Sequence, residues 1–556
     1  MPDIKANTTT TTSSTSASAP KRVAIIGSGI SGLSAAWLLN QQRDKYSVSL
    51  LEAGKYFGGH SNTVTIDSLD GSKQIGVDTG FIVCNPITYP NFLNFLDALK
   101  VPLQESDMSF SVSRNKGEFE WNGNNLNTLF AQRENLLSRD MWSMVSQVLR
   151  FNTQADQIAQ EADDLEFDRN GNVRKDSSKA HPFSKMTLAD FFAKFGYDKF
   201  FYQNYIVPMT AAIWSTPANM TFEKFPLLTL VRFMRNHILL QVSDRPKWMT
   251  VDGGSRVYVQ KVISQLADAR LNVVVTSVVR NTAEGTVTVT DSTGKKEVFD
   301  HVIFATHSDQ ALKILGDDAT AEERQILGSI KFLNNRAVLH RDEELMPKRK
   351  LAWASWNYLT SIPNDTSTTS QKMCLTYWMD NLQPHINPKD FGHVFVTMNP
   401  LYEPNPSKVI AEFSYTHPLY SPETIAAQDS LNAIQNTRMT SFAGAWTNYG
   451  FHEDGITSGL VAAGRLGAEC PFEVLLNGGY PTKRVVPKVP GWVEEKGWEG
   501  LKVGKPRFVD AEARKQFLKG VLSREKGAKD ASGLGSVIYL AVAVIVIGVA
   551  VAVMNQ

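Results

Sequence analysis

Arg22-Val23-Ala24-Ile25-Ile26-Gly27-Ser28-Gly29-Ile30-Ser31-Gly32 is the stretch on which the fold turns. Its first five residues form an apolar, β-branched run that stops at a glycine turn, which predicts a buried parallel strand. Ser31 to Asn40 then reads as a helix, and Tyr46–Leu51 as a second strand ending in Glu52. The glycines stand between strand and helix in G-x-G-x-x-G spacing, and Glu52 follows Gly32 by 20 residues. Each part has a mechanical task. Gly27 permits the tight turn, Gly29 lets backbone amides approach a pyrophosphate, and Gly32 lets helix and strand pack closely. The anion then rests on the helix N-terminus, and Glu52 accepts from a ribose hydroxyl. A glycine turn of no special purpose would not need this context. The reading is a dinucleotide-binding βαβ unit.

The rest of the chain frames that unit. At 556 residues it calls for two or more domains. Hydrophobic content of 42% and charged content of 20% are those of a folded protein. A net charge of +1 gives no whole-protein attraction for nucleic acid, so no nucleic-acid partner is expected. Cys84, Cys374 and Cys470 are scattered without metal-ligand spacing, so no metal site and no disulfide framework are expected. Residues 1–20 are a Ser/Thr-rich arm with little to bury, read as a disordered leader. Val537–Met554 is a run of 18 uncharged, mostly aliphatic residues. As a helix it would measure about 27 Å, enough to cross most of a hydrocarbon core. Arg514, Lys515, Lys519, Arg524, Lys526 and Lys529 precede it, which favours a cytosolic body on a single-pass C-terminal membrane anchor. Between the ends, Val273–Val279, Thr286–Thr290 and Val298–Ala305 read as strands. Thr187 and Asp190 make a capping-box start to a helix carrying Leu188, Phe191, Phe192 and Phe195.

After Glu52 come Ala53 and then Gly58-Gly59-His60-Ser61. Here the chain resembles the flavin-containing amine oxidase superfamily, whose second strand ends in a Leu-Glu-Ala-like run followed by Gly-Gly-Arg. The resemblance implies FAD, held non-covalently, with the two glycines near its phosphates and ribityl chain. His60 stands where the family usually has arginine, and an imidazole balances phosphate charge less well. Gly76-Val77-Asp78-Thr79-Gly80-Phe81 resembles the stretch passing the isoalloxazine ring, which implies Gly80 and Phe81 as contacts. Val278 falls where the family contacts adenine through backbone. Phe442-Ala443-Gly444-Ala445, then His452-Glu453-Asp454-Gly455-Ile456, resembles the final FAD segment, where a helix N-terminus points at the flavin pyrimidine edge. Glu453 and Asp454 are either ribityl contacts or caps of that helix.

Further segments lie outside the cofactor motifs: Glu105–Val112, Leu129–Gln132, Arg235-Asn236-His237, Leu339–Asp342 and Tyr449–Gly455. They resemble the oxidase-like region preceding the methyltransferase domain of plant cyclopropane fatty-acid synthases, and stand-alone bacterial relatives of that region. A lipid or fatty-acyl substrate is implied, with a lipid-modifying methyltransferase as a separate partner and the bilayer as a surface. The expected fold class is α/β: a Rossmann-like FAD-binding domain (21–105, 246–315 and 436–475) with an inserted, mixed substrate domain (106–245, helix-rich, and 316–435). An irregular charged tail (476–530) and a transmembrane helix (531–556) follow. The expected activity is FAD-dependent oxidation of a membrane lipid or acyl chain. Amine or polyamine oxidation, and a redox-silent anchored flavoprotein, are the alternatives. Trp446, Tyr449 and Phe451 could supply aromatic rings beside the flavin. The polar candidates for chemistry are His237, His307, Asn399 and His452, with Tyr449 beside them.

Overall fold

The computed structural model describes residues 19–166, 181–214, 226–240, 246–361 and 374–476, all within the compact unit Met1–Pro506. The apolar run Val537–Met554, the basic residues before it and nearly all of the expected leader and tail lie outside the described residues. Among the described residues no helix is long and apolar enough to cross a membrane.

The opening unit forms as its sequence predicts: β1 (Lys21–Ile26), α1 (Ile30–Asn40) and β2 (Tyr46–Leu51). β1 lies inside a five-stranded sheet, flanked by β2 and by His301–Phe304, with Asp268–Arg270 and Thr440–Phe442 at the edges. Every pairing is parallel, with Ile25 opposite Leu50 on one side and Ile303 on the other. A parallel sheet covered on both faces needs continuous apolar strands, and the last four residues of β1 are buried.

α1 is buried from Ile30 to Leu39, because the sheet covers one side and the helix His452–Gly464 the other. Small residues make that possible. A Cβ on Gly32 would stand 2.0 Å from Gly27 O, and one on Gly459 would stand 2.1 Å from Ser31 O. Ser34 Oγ donates across the same seam to Ile456 O at 3.1 Å.

The run Val298–Ala305, expected as one strand, serves two sheets. Lys296–Phe299 completes an antiparallel meander with Val275–Asn281 and Thr286–Asp291, whereas His301–Phe304 joins the central sheet. The change occurs at Asp300, whose carboxylate accepts from Arg22 N at 2.7 Å and whose own N–H donates to Arg22 O at 2.9 Å. The polar pair Asp300-His301 interrupts the apolar run at that point. The meander is pinned by Arg280, whose side chain is fully buried and meets Glu323 and Asp318 at 2.5 Å each.

A second, seven-stranded sheet lies above the opening unit's cleft. Its order is Val409–Pro418, Phe332–His340, Phe395–Met398, Cys374–Trp378, Trp356–Thr360, Phe110–Arg114 and Phe119–Asn122. Only the pair Trp356–Thr360 with Phe110–Arg114 runs parallel. Helices Arg139–Glu166, Leu188–Phe195 and Leu227–Asn236 pack with it around an aromatic core that includes Phe151, Phe191, Phe192 and Phe201. The capping box at Thr187 and Asp190 is formed, and Gly196 closes that helix at φ +66°.

Gly459→Ala should lower the unfolding free energy by about 1–3 kcal/mol through overpacking against Ser31. Urea unfolding would register this as a lower midpoint with an unchanged slope. An unchanged midpoint would mean the two helices can part without cost.

Candidate cofactor and active site

The glycine loop turns out of β1 at Gly27 (φ +100°) and leads directly into α1. The first intrahelical bond is Leu33 N to Gly29 O, which leaves the amides of Ile30, Ser31 and Gly32 without an intrahelical acceptor. A Cβ built on Gly29 meets nothing within 4 Å, although a Cβ on the neighbouring Gly32 would collide. Gly29 is therefore not demanded by protein packing; it keeps a cradle open. The second glycine turn closes on the first. Gly58 pairs with Gly29 as an isolated bridge, and a Cβ on Gly59 would stand 3.2 Å from Gly29 Cα.

Glu52 fixes this loop. Its carboxylate accepts from Ser28 N (2.8 Å), Ser28 Oγ (2.6 Å) and Gly54 N (2.7 Å). A carboxylate has about four acceptor positions, so one remains for a ribose hydroxyl. Ala53 is exposed beside it. Val273 N donates to Glu52 O at 2.9 Å, which ties the meander carrying Val278 to the end of β2. Val278 itself is fully buried in that meander, so only its backbone is available to an adenine. An open cradle, unsatisfied helix amides and a loop-bracing carboxylate with spare capacity are the features a dinucleotide's pyrophosphate and ribose require. The residues fit FAD.

The other end of the cleft is built from Gly58–Ser61, Gly80–Phe81 and the N-terminus of His452–Gly464. Phe81 N donates to His60 O at 2.8 Å, and a Cβ on Gly80 would lie 2.3 Å from the same oxygen. The rings of Phe81 and His452 stack at 3.7 Å. His452 Nε2 is 3.0 Å from the Tyr258 hydroxyl, which donates to Ser61 Oγ at 2.5 Å. From the seven-stranded sheet, Tyr415 and His417 descend on the same place. His60 lies 4.9 Å from the Tyr415 ring and stacks on His417 at 5.3 Å, while the Tyr415 hydroxyl meets Asn62 and Thr79.

Four histidines thus gather around the cleft: His60, His307, His417 and His452, each part-exposed. Burial drives the His60 pKa well below its usual value, helped by the mutual repulsion of the other three imidazoles. Burial likewise pushes His417 down to about 4 and His452 to about 3, and lowers His307. All four shifts favour the neutral imidazole. Of these, His417 is absent from the expectations drawn from sequence, as are Tyr258 and Tyr415. The alternation Phe413, Tyr415, His417 on one strand face is the signal that marks the last two.

The other expected residues make contacts within the protein. The Glu453 carboxylate accepts from Asn91 N and Phe92 N at 2.8 and 2.9 Å, at the start of the helix Pro90–Ala98 and in full burial. Burial raises its pKa well above the ordinary carboxyl value, against the lowering effect of those two amides. Asp454 caps its own helix through Phe451 N (2.9 Å) and holds Asn448 Nδ2 (2.6 Å). Gly455 and Ile456 face α1, with a Gly455 Cβ only 2.6 Å from Ile30 Cγ2. Gly444 donates its amide to Ser458 Oγ at 2.9 Å. Trp446 is buried against Phe304 and Phe442, and Tyr449 packs in the aromatic core against Phe233, so neither ring lines the cleft. His237 ends the helix Leu227–Asn236, stacked on Phe233 at 3.9 Å with Nδ1 3.0 Å from Phe233 O. Asn399 follows Phe395–Met398 in the left-handed conformation (φ +49°) and bonds Arg336 and Asn335.

A profile of the family described as flavin containing amine oxidoreductase matches residues 30–467. Among solved structures, the CLA-producing fatty acid isomerase of P. acnes is 16% identical, covering 79% of this chain and 97% of its own, at a TM-score of 0.55. Putrescine oxidase bound to putrescine is 15% identical, covering 81% and 99%, at 0.54. Cyclohexylamine oxidase from Brevibacterium oxydans is 15% identical, covering 80% and 98%, at 0.56. These likenesses show a common fold. No curated protein sequence matches the chain.

Two outcomes are expected from this geometry. Gly29→Ala should leave the stability of the flavin-free protein within about 0.5 kcal/mol, because the methyl meets no protein atom. It should still weaken FAD binding at least about tenfold by filling the cradle; equal affinity by flavin fluorescence titration would remove Gly29 from the site. His237 has its pKa pushed down to about 3, chiefly by burial. Above pH 6.5 its ring is neutral folded or unfolded. Between 6.5 and about 3 the unfolded ring takes a proton that the folded ring refuses, so stability falls with pH. The thermal midpoint of His237→Gln should therefore gain on the native protein as pH drops from 6.5 to 4.

Proposed function

This chain belongs to the flavin containing amine oxidoreductase family, whose members are FAD-dependent oxidoreductases, and from that premise we propose that its substrate is a membrane lipid or fatty-acyl chain. The observation that carries the proposal is the charge of the cleft. Four carboxylates built into its walls accept from protein groups. Glu52 braces the glycine loop, Glu453 and Asp454 cap helices, and Asp78 accepts from Ser255 N, Ser255 Oγ, Thr63 Oγ1 and Gln383 Nε2. What remains facing inward is aromatic rings and neutral imidazoles. A place that resists protonating four histidines resists an ammonium ion for the same reason. An uncharged hydrocarbon meets no such penalty.

Bound FAD would supply the oxidising chemistry by accepting a hydride. The chain's own groups hold and shield it. The amides of Ile30, Ser31 and Gly32, with Gly59, would take the pyrophosphate, and Glu52 the adenosine ribose, while the Gly58 N–H is held by Ser28. The N-terminus at His452 would present its positive end to the pyrimidine edge. Phe81 and Phe451 would keep water from the reacting carbon.

The likeness to cyclopropane synthase-associated oxidases supports the same substrate class. Two of the segments carrying it, Arg235–His237 and Tyr449–Gly455, meet beside the cleft, with His237 and Phe451 rings 5.0 Å apart. The shared fold includes a fatty acid isomerase and two amine oxidases, so the choice rests on these residues and not on the fold. On this reading Val537–Met554 anchors a cytosolic body at the bilayer that supplies its substrate, and a lipid-modifying methyltransferase would be a separate partner.

An anaerobic spectrum of the detergent-solubilised full chain tests it. Phospholipid or unsaturated fatty acid should bleach the oxidised-flavin bands. Bleaching by polyamine alone would make the protein an amine oxidase. Bleaching by dithionite and by none of these compounds would point to a redox-silent partner of a lipid-modifying enzyme.

A further inference from the structure

On the seven-stranded sheet, two asparagines and a histidine form a line of hydrogen bonds whose polarity is set from one end. The Arg336 backbone N–H can only donate, and it donates to Asn399 Oδ1 at 3.0 Å. The other amide atom of Asn399 is therefore Nδ2, which donates to Asn335 Oδ1 at 2.7 Å. Asn335 must then turn its own Nδ2 to His417, 2.9 Å from Nδ1. The carbonyl of Leu333, 3.4 Å from the same Nδ2, agrees with that orientation. An amide NH2 group has no acceptor capacity, so His417 Nδ1 is the acceptor. In a neutral imidazole the proton is then on Nε2.

The line is stiff. Asn399 clamps Arg336 twice, through its side chain and through its backbone N–H to Arg336 O at 2.7 Å. Its left-handed backbone is one that asparagine tolerates better than most residues. Asn335 is buried between the two. Protonating His417 at Nδ1 would set two donors against each other. The groups facing the ring are His60, stacked on it at 5.3 Å, with Tyr415 two residues away on the same strand face and His307 nearby. None is a carboxylate that would hold an imidazolium. The Arg336 guanidinium turns away to Glu403 and Glu412.

We propose that Arg336, Asn399 and Asn335 lock His417 as its neutral Nε2–H tautomer, and that this N–H is a fixed hydrogen-bond donor to the cleft. Its acceptor is a ring heteroatom of the bound flavin or a carboxyl or carbonyl oxygen of the substrate. Asn335 and Asn399 are positioning residues. The substrate acceptor rests on the acyl reading above; the flavin acceptor and the tautomer do not.

Nitrogen-15 histidine NMR of the FAD-loaded full chain reads the tautomer, with the His417 signals assigned by their loss in His417→Gln. A neutral ring protonated at Nε2 is expected at pH 7. A proton on Nδ1, or an imidazolium, overturns the proposal. Asn335→Asp, which puts an acceptor where the donor was, should move the proton to Nδ1 or charge the ring. In His417→Phe, two arms separate the acceptors. A flavin acceptor predicts a changed spectrum and midpoint potential without any ligand. A substrate acceptor predicts unchanged flavin and about tenfold weaker binding of oleate. If neither changes in a variant that folds and binds FAD, His417 donates to nothing in the cleft and the proposal fails. A shifted potential with no flavin bleaching by any lipid would leave the donor standing and overturn only the acyl reading.

Discussion

Everything at the cleft depends on how closely two helices approach, Ile30–Asn40 and His452–Gly464. At its closest points the seam needs a glycine on one helix, with Gly459 against Ser31 and Gly455 against Ile30. The approach brings two positive helix ends to one cavity, each worth about half an elementary charge. Glu52 and Asp454 lie where they offset these ends, bonded to amides just before or at each start. The same acids that look like cofactor ligands in the sequence therefore also make it possible for two like helix ends to sit side by side. A phosphate-bearing, electron-accepting cofactor completes the compensation.

Around those ends the buried carboxylates are held by hydrogen-bond donors. Asp78 shows how thoroughly this is done: a buried carboxylate surrounded by donors from Ser255, Thr63 and Gln383. Burial still raises its pKa despite those bonds. It joins the strand Gln74–Asp78 to the helix Arg256–Ile263 and to the neighbourhood of the seven-stranded sheet. The imidazoles are pushed towards the neutral form as well. In such surroundings a hydrogen bond is strong because little else competes for it, and its direction matters more than its charge.

The sequence makes the opening unit plain because three local constraints coincide at Gly27–Gly32: strand, turn and helix start. The capping box at Thr187 is legible for the same reason. Residues whose task depends on distant partners are not. Glu453 reads as a cofactor ligand beside the last glycine motif, yet its carboxylate turns to Asn91 and Phe92, 361 positions or more away in sequence. Tyr449 sits in an aromatic cluster that sequence places beside the flavin and packing places in the core. His417 reaches the cleft only because Val409–Pro418 ends the order of a sheet whose pairing is almost entirely long-range. Asn399, a polar candidate for chemistry in the sequence, bonds Arg336 and Asn335 on a strand pairing that the sequence does not display.

The central sheet draws its strands from residues 21–26, 46–51, 268–270, 301–304 and 440–442. During synthesis, β1 leaves the ribosome long before its neighbour at His301–Phe304 exists. At about 5–20 residues per second, the wait for the last strand is on the order of 20–90 s. Until His301–Phe304 is made, β1, whose last four residues are buried in the finished sheet, has one edge paired with β2 and the other open. Such an intermediate is a natural client for chaperones, and its final closure waits on loop-spanning contacts that form slowly. The cradle at Gly29 is thus encoded first and finished last, so cofactor capture belongs to the end of folding.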